Sequence, residues 1–182
     1  MSAATAGVMA FNPLSASRAT LALAATPGIV LPPPISAAER LQRIAKAQKL
    51  MRAAGLKAVL VEAGSSLVYF TGVEWWRSER LTAAVIPADG ETLIVTPAFE
   101  EPSVRETLAI PAQVRVWDEH ESPHALIADW LRTRRIGSGP VGIESTVRFF
   151  AFDGLAKLGV AVQDDAGVVR ACRVVKSPAE IA

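Results

Sequence analysis

The sequence predicts an α/β domain, a mixed six-stranded sheet flanked by helices, preceded by an extension of different composition. Three observations predict it. Short apolar runs of strand length alternate with segments that repeat apolar residues every three or four positions. Two of those runs are separated by Asp89-Gly90, a hairpin turn signal. Helix-start chemistry, at Ser36 with Glu39 and at Ser122-Pro123, falls where the periodicity changes. Strands alternating with helices give a sheet covered on its faces, and the one hairpin makes that sheet mixed.

Residues 1–35 stand apart. They carry one charge, Arg18, and are rich in Ala, Ser, Thr and Pro. This composition reads as a disordered extension ending in the stiff Pro32-Pro33-Pro34 linker. The stretch SAATAGVMAF has the small, mildly apolar character of an export-signal core. It looks like the middle of a twin-arginine-type signal, although no basic stretch precedes it. On that reading the protein is exported to the periplasm; otherwise it is cytoplasmic.

The folded part opens with a helix from the Ser36 cap to about Ala54. Leu41, Ile44, Ala47, Met51 and Ala54 form its apolar face, and Gly55 stops it. Arg40, Arg43, Lys46, Lys49 and Arg52 fall mostly off that face and read as solvated. KAVLVEA (57–63) is a buried strand, and LTAAVIPADGETLIVTP (81–97) is a hairpin. AFEEPSVRETLA is a short helix and QVRVWDE an alternating strand. SPHALIADWLRTRR is a helix with Leu126, Ile127, Trp130 and Leu131 on one stripe. PVGIES is a strand, VRFFAFDGLAKL a helix and GVAVQDD the last strand. At the end, Ser177, Pro178 and Glu180 prepare a further helix start.

Composition narrows the chemistry. A net charge of +1 gives no electrostatic reason to expect nucleic acid or an anionic membrane. No run of about 18 apolar residues offers a membrane span. Cys172 is the only cysteine, so an internal disulfide is excluded, and a buried, inert thiol is expected. HESPH (120–124) matches the zinc-protease pattern H-E-x-x-H letter for letter. That pattern needs one continuous helix to put both His on one face. Pro123 inside it marks a helix start, so His120 belongs to the preceding loop and the zinc reading fails. There is no Walker-type loop and no G-x-S-x-G elbow. Ser65 and Ser66 lack an evident base, and the pairs Glu100-Glu101 and Asp164-Asp165 read as surface charge.

SSLVYFTGVEWWRSERL (65–81) is the most ligand-like stretch, read as a loop between two strands. Its aromatics could simply cover a core edge, with its arginines paired to Glu74 and Glu79. Equally, flat apolar surface beside guanidinium groups suits a small carboxylate or a protein interface.

This stretch, with RVWDEHESPHALIADWL, VGIESTVRFFAFDGL and CRVVKSPAEIA in that order, resembles the amino-terminal domain of the creatinase, prolidase and aminopeptidase P family, the pita-bread metallopeptidases. The resemblance runs from about Ser36 to the last residue. Its most specific parts are the Y-[FL]-T-G segment at 69–72 and R-x-x-K-S-P-x-E-I-A at 173–182. It implies a ribonuclease H-like α/β layer that carries no metal ligand. Two divalent metal ions (Mn, Co or Zn) are expected in a second domain, held by two Asp, one His and two Glu. It implies a homodimer in which the loop after Y-x-T-G reaches the other subunit's active site. Trp75, Trp76, Arg77 and Arg80 would then contact a proline-containing peptide in trans.

The expectation is therefore a non-catalytic domain, residues 36–172, of an Xaa-Pro peptidase. Residues 173–182 would be the linker and first turn of a catalytic domain missing from this chain. No catalytic and no metal-binding residue is expected here. A stand-alone peptide- or protein-binding module on the same fold is the alternative.

Overall fold

Five consecutive buried residues, Ala58–Glu62, form strand β1, which lies inside the sheet and so needs apolar residues on both faces. The computed structural model describes residues 33–136 and 139–181, all within the compact unit Pro32–Ala182. The expectations for an export signal or disordered extension fall mainly on residues 1–32, outside the described residues. On one side β1 pairs antiparallel with β2 (Ala83–Pro87), with Leu60 opposite Val85. On the other it pairs parallel with β5 (Val141–Ile143). β3 (Leu93–Pro97) returns antiparallel on β2 around the Asp89-Gly90 turn, where Gly90 takes a φ of +91°. β4 (Gln113–Trp117) and β6 (Val162–Asp164) close the edges, giving the order β4-β3-β2-β1-β5-β6. The mixed six-stranded α/β sheet is the one expected from the sequence.

Helices cover both faces because successive strand residues point to opposite sides. Val59, Val61, Ala84, Ile86 and Ile94 pack on one side with α1 (Ala37–Ala53), α2 (Ser65–Thr71), α3 (Glu101–Thr107) and α6 (Val168–Val174). Ala58, Leu60, Ala83, Val85, Leu93 and Val95 pack on the other with α4 (Pro123–Thr133) and α5 (Phe149–Lys157). A four-residue turn, α7 (Pro178–Ile181), follows α6. Among the described residues no helix is long and apolar enough to cross a membrane.

Several expectations need correction. α1 is turned from its predicted face: Leu41 and Ala54 are exposed, whereas Arg43 is 7% exposed and lies beside Ile44 and Ala47. A guanidinium can take that place because Glu39 and the Tyr69 carbonyl accept its protons. Residues 65–71, read as loop, are helical, and α6 has no counterpart in the sequence reading. Asp165 is buried, not surface charge, and accepts from the amides of Gly167 and Val169, which starts α6. Glu100 accepts from the Thr82 hydroxyl at 3.1 Å, so it also does more than face solvent.

HESPH behaves as Pro123 dictates. Ser122 caps α4 by accepting from the Ala125 amide at 3.2 Å, and His120 stays in the turn before it. His124 packs against Phe150 and Gly154. Its Nε2 is buried without a partner, and burial pushes its imidazole below the ordinary range despite the opposing pull of Asp153.

Candidate functional site: an aromatic and cationic cleft

The Y-F-T-G motif is the end of α2. Phe70 is fully buried in the core. The Thr71 hydroxyl donates to the Leu67 carbonyl at 2.7 Å and accepts from the Val73 amide at 3.1 Å, which turns the chain out of the helix. Gly72 completes the stop at φ +86°. A Cβ there would lie 2.7 Å from the Ala109 Cβ and 2.8 Å from the Thr107 carbonyl, so glycine is required twice over. The Arg40 and Arg43 guanidiniums donate to the Val68 and Tyr69 carbonyls at the same helix end, where positive charge is favourable. Arg43 also stacks on the Tyr69 ring, 4.1 Å from its centroid. The Tyr69 hydroxyl donates to the Cys172 carbonyl at 2.8 Å and ties α6 to α2.

The loop leaving Gly72 divides the four residues singled out by the sequence. Trp75 is half-buried against the core, while Trp76 is 88% exposed. Both line a cleft of about 540 Å³ together with Tyr69, Arg173, Lys176 and Glu74. Arg77 turns to the next depression and donates to the Ala63 and Thr146 carbonyls at 3.2 and 2.7 Å. Arg80 points away from both. It pairs with Glu119 at 2.6 Å and with Glu79, and it stacks on Phe99. The fold thus brings Trp75 and Trp76 together, sets Arg77 beside them and commits Arg80 elsewhere.

The cleft's own cations were not among the predicted site residues. Arg40, Arg43, Arg173 and Lys176 line it. A signal existed for the first two, since 40, 43, 44, 47 and 51 recur at helical spacing and share a side of α1. Arg173 and Lys176 lie far along the chain from the cleft's other walls, and only the docking of α6 brings them in. Arg173 donates to the hydroxyls of Ser66 and Ser65, at 2.7 and 3.0 Å, and Ser66 donates to Glu144. These contacts clamp α2, α6 and the residue that follows β5.

Glu62, fully buried at the end of β1, anchors the loop from beneath. It accepts from the Arg148 Nε at 2.7 Å and from the Arg148 amide at 3.1 Å. The Arg77 guanidinium lies 3.8 Å away. Arg148 also reaches the carbonyls of Ser78 and Arg80 inside the loop. Cys172 is buried and free, and burial pushes its thiol up, which makes it inert. Among the described residues no group of three or more His, Cys, Asp or Glu is placed to hold a metal ion, so these residues do not fit a dinuclear centre.

Comparison with known proteins bears on the family and the fold. Residues 43–175 match the Creatinase/Prolidase N-terminal domain. A peptidase of Schizosaccharomyces pombe, itself uncharacterized, is 30% identical over 173 residues, covering 84% of this chain and 37% of that protein. The "Probable dipeptidase PepE" of Mycobacterium bovis is 31% identical over 148 residues, covering 77% and 37%. The chain therefore spans little more than a third of the curated relatives it matches. The crystal structure of dipeptidase PepE from Mycobacterium ulcerans superposes with a TM-score of 0.71 at 29% identity, over 81% of this chain and 40% of that one. The N-terminal domain of an Xaa-Pro dipeptidase from Lactobacillus brevis shares the fold, with a TM-score of 0.65 at 23% identity over 73% of this chain and 99% of that one. Because that family's model matches residues 43–175, well over half of the sequence, this chain belongs to the creatinase/prolidase N-terminal domain family.

Proposed function

We propose that this chain is the non-catalytic, dimerising and substrate-gating N-terminal domain of a dinuclear-metal Xaa-Pro peptidase. The observation that carries the reading is Trp76. An indole ring 88% exposed, beside a half-buried second Trp and above a cationic cleft, is a surface that an interface covers. Its partner is a second subunit, and the ligand reached across that contact is a proline-containing peptide. Trp75 and Trp76 supply apolar walls, and Arg77 supplies a guanidinium at the rim. Arg80, held by Glu119 and Glu79, positions the loop and does not touch the ligand. Two divalent metals (Mn, Co or Zn) belong to a catalytic domain joined through residues 173–182. Bound there, such metals would supply the Lewis-acid and water-activating chemistry of the hydrolysis.

The purified chain, incubated with Ala-Pro and added Mn²⁺ or Co²⁺, is expected to give no turnover; turnover would overturn the non-catalytic reading. In sedimentation velocity, Trp76→Ala is expected to weaken self-association. Unchanged self-association would overturn the interface role of the loop.

A further inference from the structure

The sequence holds two S-x-x-E capping boxes, Ser36-Ala37-Ala38-Glu39 and Ser177-Pro178-Ala179-Glu180. In a closed box the hydroxyl bonds the amide of the acid, and the acid bonds the amide of the hydroxyl residue. Here each box is half made. At α1 the Ser36 hydroxyl accepts from the Glu39 amide at 3.1 Å, but the Glu39 carboxylate points elsewhere. At α7 the Glu180 carboxylate accepts from the Ser177 amide at 3.0 Å, but the Ser177 hydroxyl points elsewhere. The two spare halves meet: the Ser177 hydroxyl donates to the Glu39 carboxylate at 2.7 Å, across 138 residues of chain.

Arg43 locks the junction. Its guanidinium lies 2.6 Å from Glu39 and 3.5 Å from Glu180, so it bridges the acids of both boxes. The same side chain is buried, stacks on Tyr69 and donates to the Tyr69 carbonyl at 3.0 Å. Tyr69 in turn holds α6, the element before α7. Lys176 adds a weaker contact to Glu180 at 3.7 Å. A turn of four residues cannot hold itself in water, because helix nucleation is unfavourable. Here it is bonded to α1 and, through Arg43 and Tyr69, to the core.

We propose that Glu39, Arg43, Ser177 and Glu180 form an exchanged capping latch that makes α7 a rigid strut of this domain, fixing the direction of the backbone at residues 178–181. The latch is a property of the folded chain and holds whatever function the domain serves. If it fails while the chain still lacks peptidase activity, the functional reading stands and the strut alone is lost. The lowered pKa of Glu39, caused first by the Ser177 hydroxyl and then by Arg43, agrees with the geometry.

The test is ¹⁵N relaxation on the whole chain. Amides of residues 179–181 are expected to show order parameters of about 0.85, like the sheet, and Ser177→Ala is expected to drop them below about 0.6. That variant removes only the exchanged hydroxyl and leaves the Glu180 bond to the residue 177 amide intact. A carboxyl titration by ¹³C NMR gives a second readout: Glu39 is expected to titrate at higher pH in Ser177→Ala than in the parent. Order parameters below 0.6 in the parent chain would overturn the proposal outright. So would a Ser177→Ala variant with unchanged order at 179–181 and an unchanged Glu39 titration.

Discussion

Replacing Arg148 with Met should be among the most damaging single changes to this domain. The Glu62 side chain is fully buried, and Arg148 is its principal partner, through the side-chain Nε and a second guanidinium nitrogen. After the change Glu62 keeps the amide of residue 148 at 3.1 Å and the distant Arg77 at 3.8 Å, with Arg77 41% exposed. A carboxylate left in that state is an uncompensated buried charge, which costs about 3–5 kcal/mol. With a urea slope of about 2 kcal/mol/M, the midpoint of unfolding falls by about 1.5–2.5 M. Urea titration followed by the emission of the buried Trp117 and Trp130 measures it. Two comparisons isolate the cause. Arg77→Met, which removes the longer and more exposed contact, should cost no more than about 1 kcal/mol. The pair Glu62→Leu with Arg148→Met should recover much of the loss, since it removes the stranded charge together with its partner. A midpoint shift below about 0.5 M for Arg148→Met, or a double variant no better than the single, would refute the reasoning.

Two further predictions follow from the same contacts. Gly72→Ala should destabilise the domain by at least about 1–3 kcal/mol from the left-handed backbone alone, with the approach to Ala109 and Thr107 adding to it; a thermal midpoint equal to the parent's would contradict this. His124 takes up its proton less readily in the fold than in the unfolded chain, whose value is about 6.5. Its share of stability is therefore full above about pH 6.5 and declines as pH falls towards the lower folded value. His124→Phe should flatten the stability profile between about pH 7 and pH 5, and an unchanged slope would show that His124 does not contribute.

Most of the sheet was legible because strand signals are local. The continuous run at 58–62 and the Asp89-Gly90 turn carry their meaning within a few residues. α2 was not legible, because Ser65–Thr71 has no side-chain cap and its right-hand boundary is set by Gly72 against Ala109 and Thr107. α6 was hidden for a similar reason: its start depends on Asp165, which looks like surface charge until the fold buries it. The helix start inside HESPH was legible from sequence because proline's effect on a helix is local too.

The candidate site divides along the same line. Trp75, Trp76, Arg77 and Arg80 stand out in the sequence because they cluster in one short stretch, but closeness along the chain could not say which of them share a wall. The tertiary structure gave Arg80 to Glu119, recruited Arg40, Arg43, Arg173 and Lys176, and linked Ser177 to Glu39. By itself the sequence determined the family, the sheet, the starts of α1, α4 and α7 and the break inside HESPH, since each rests on bonded neighbours or short periodicities. Only the tertiary structure decided where the charges go. A carboxylate or guanidinium takes its meaning from the partner beside it, and here those partners lie up to 138 residues away.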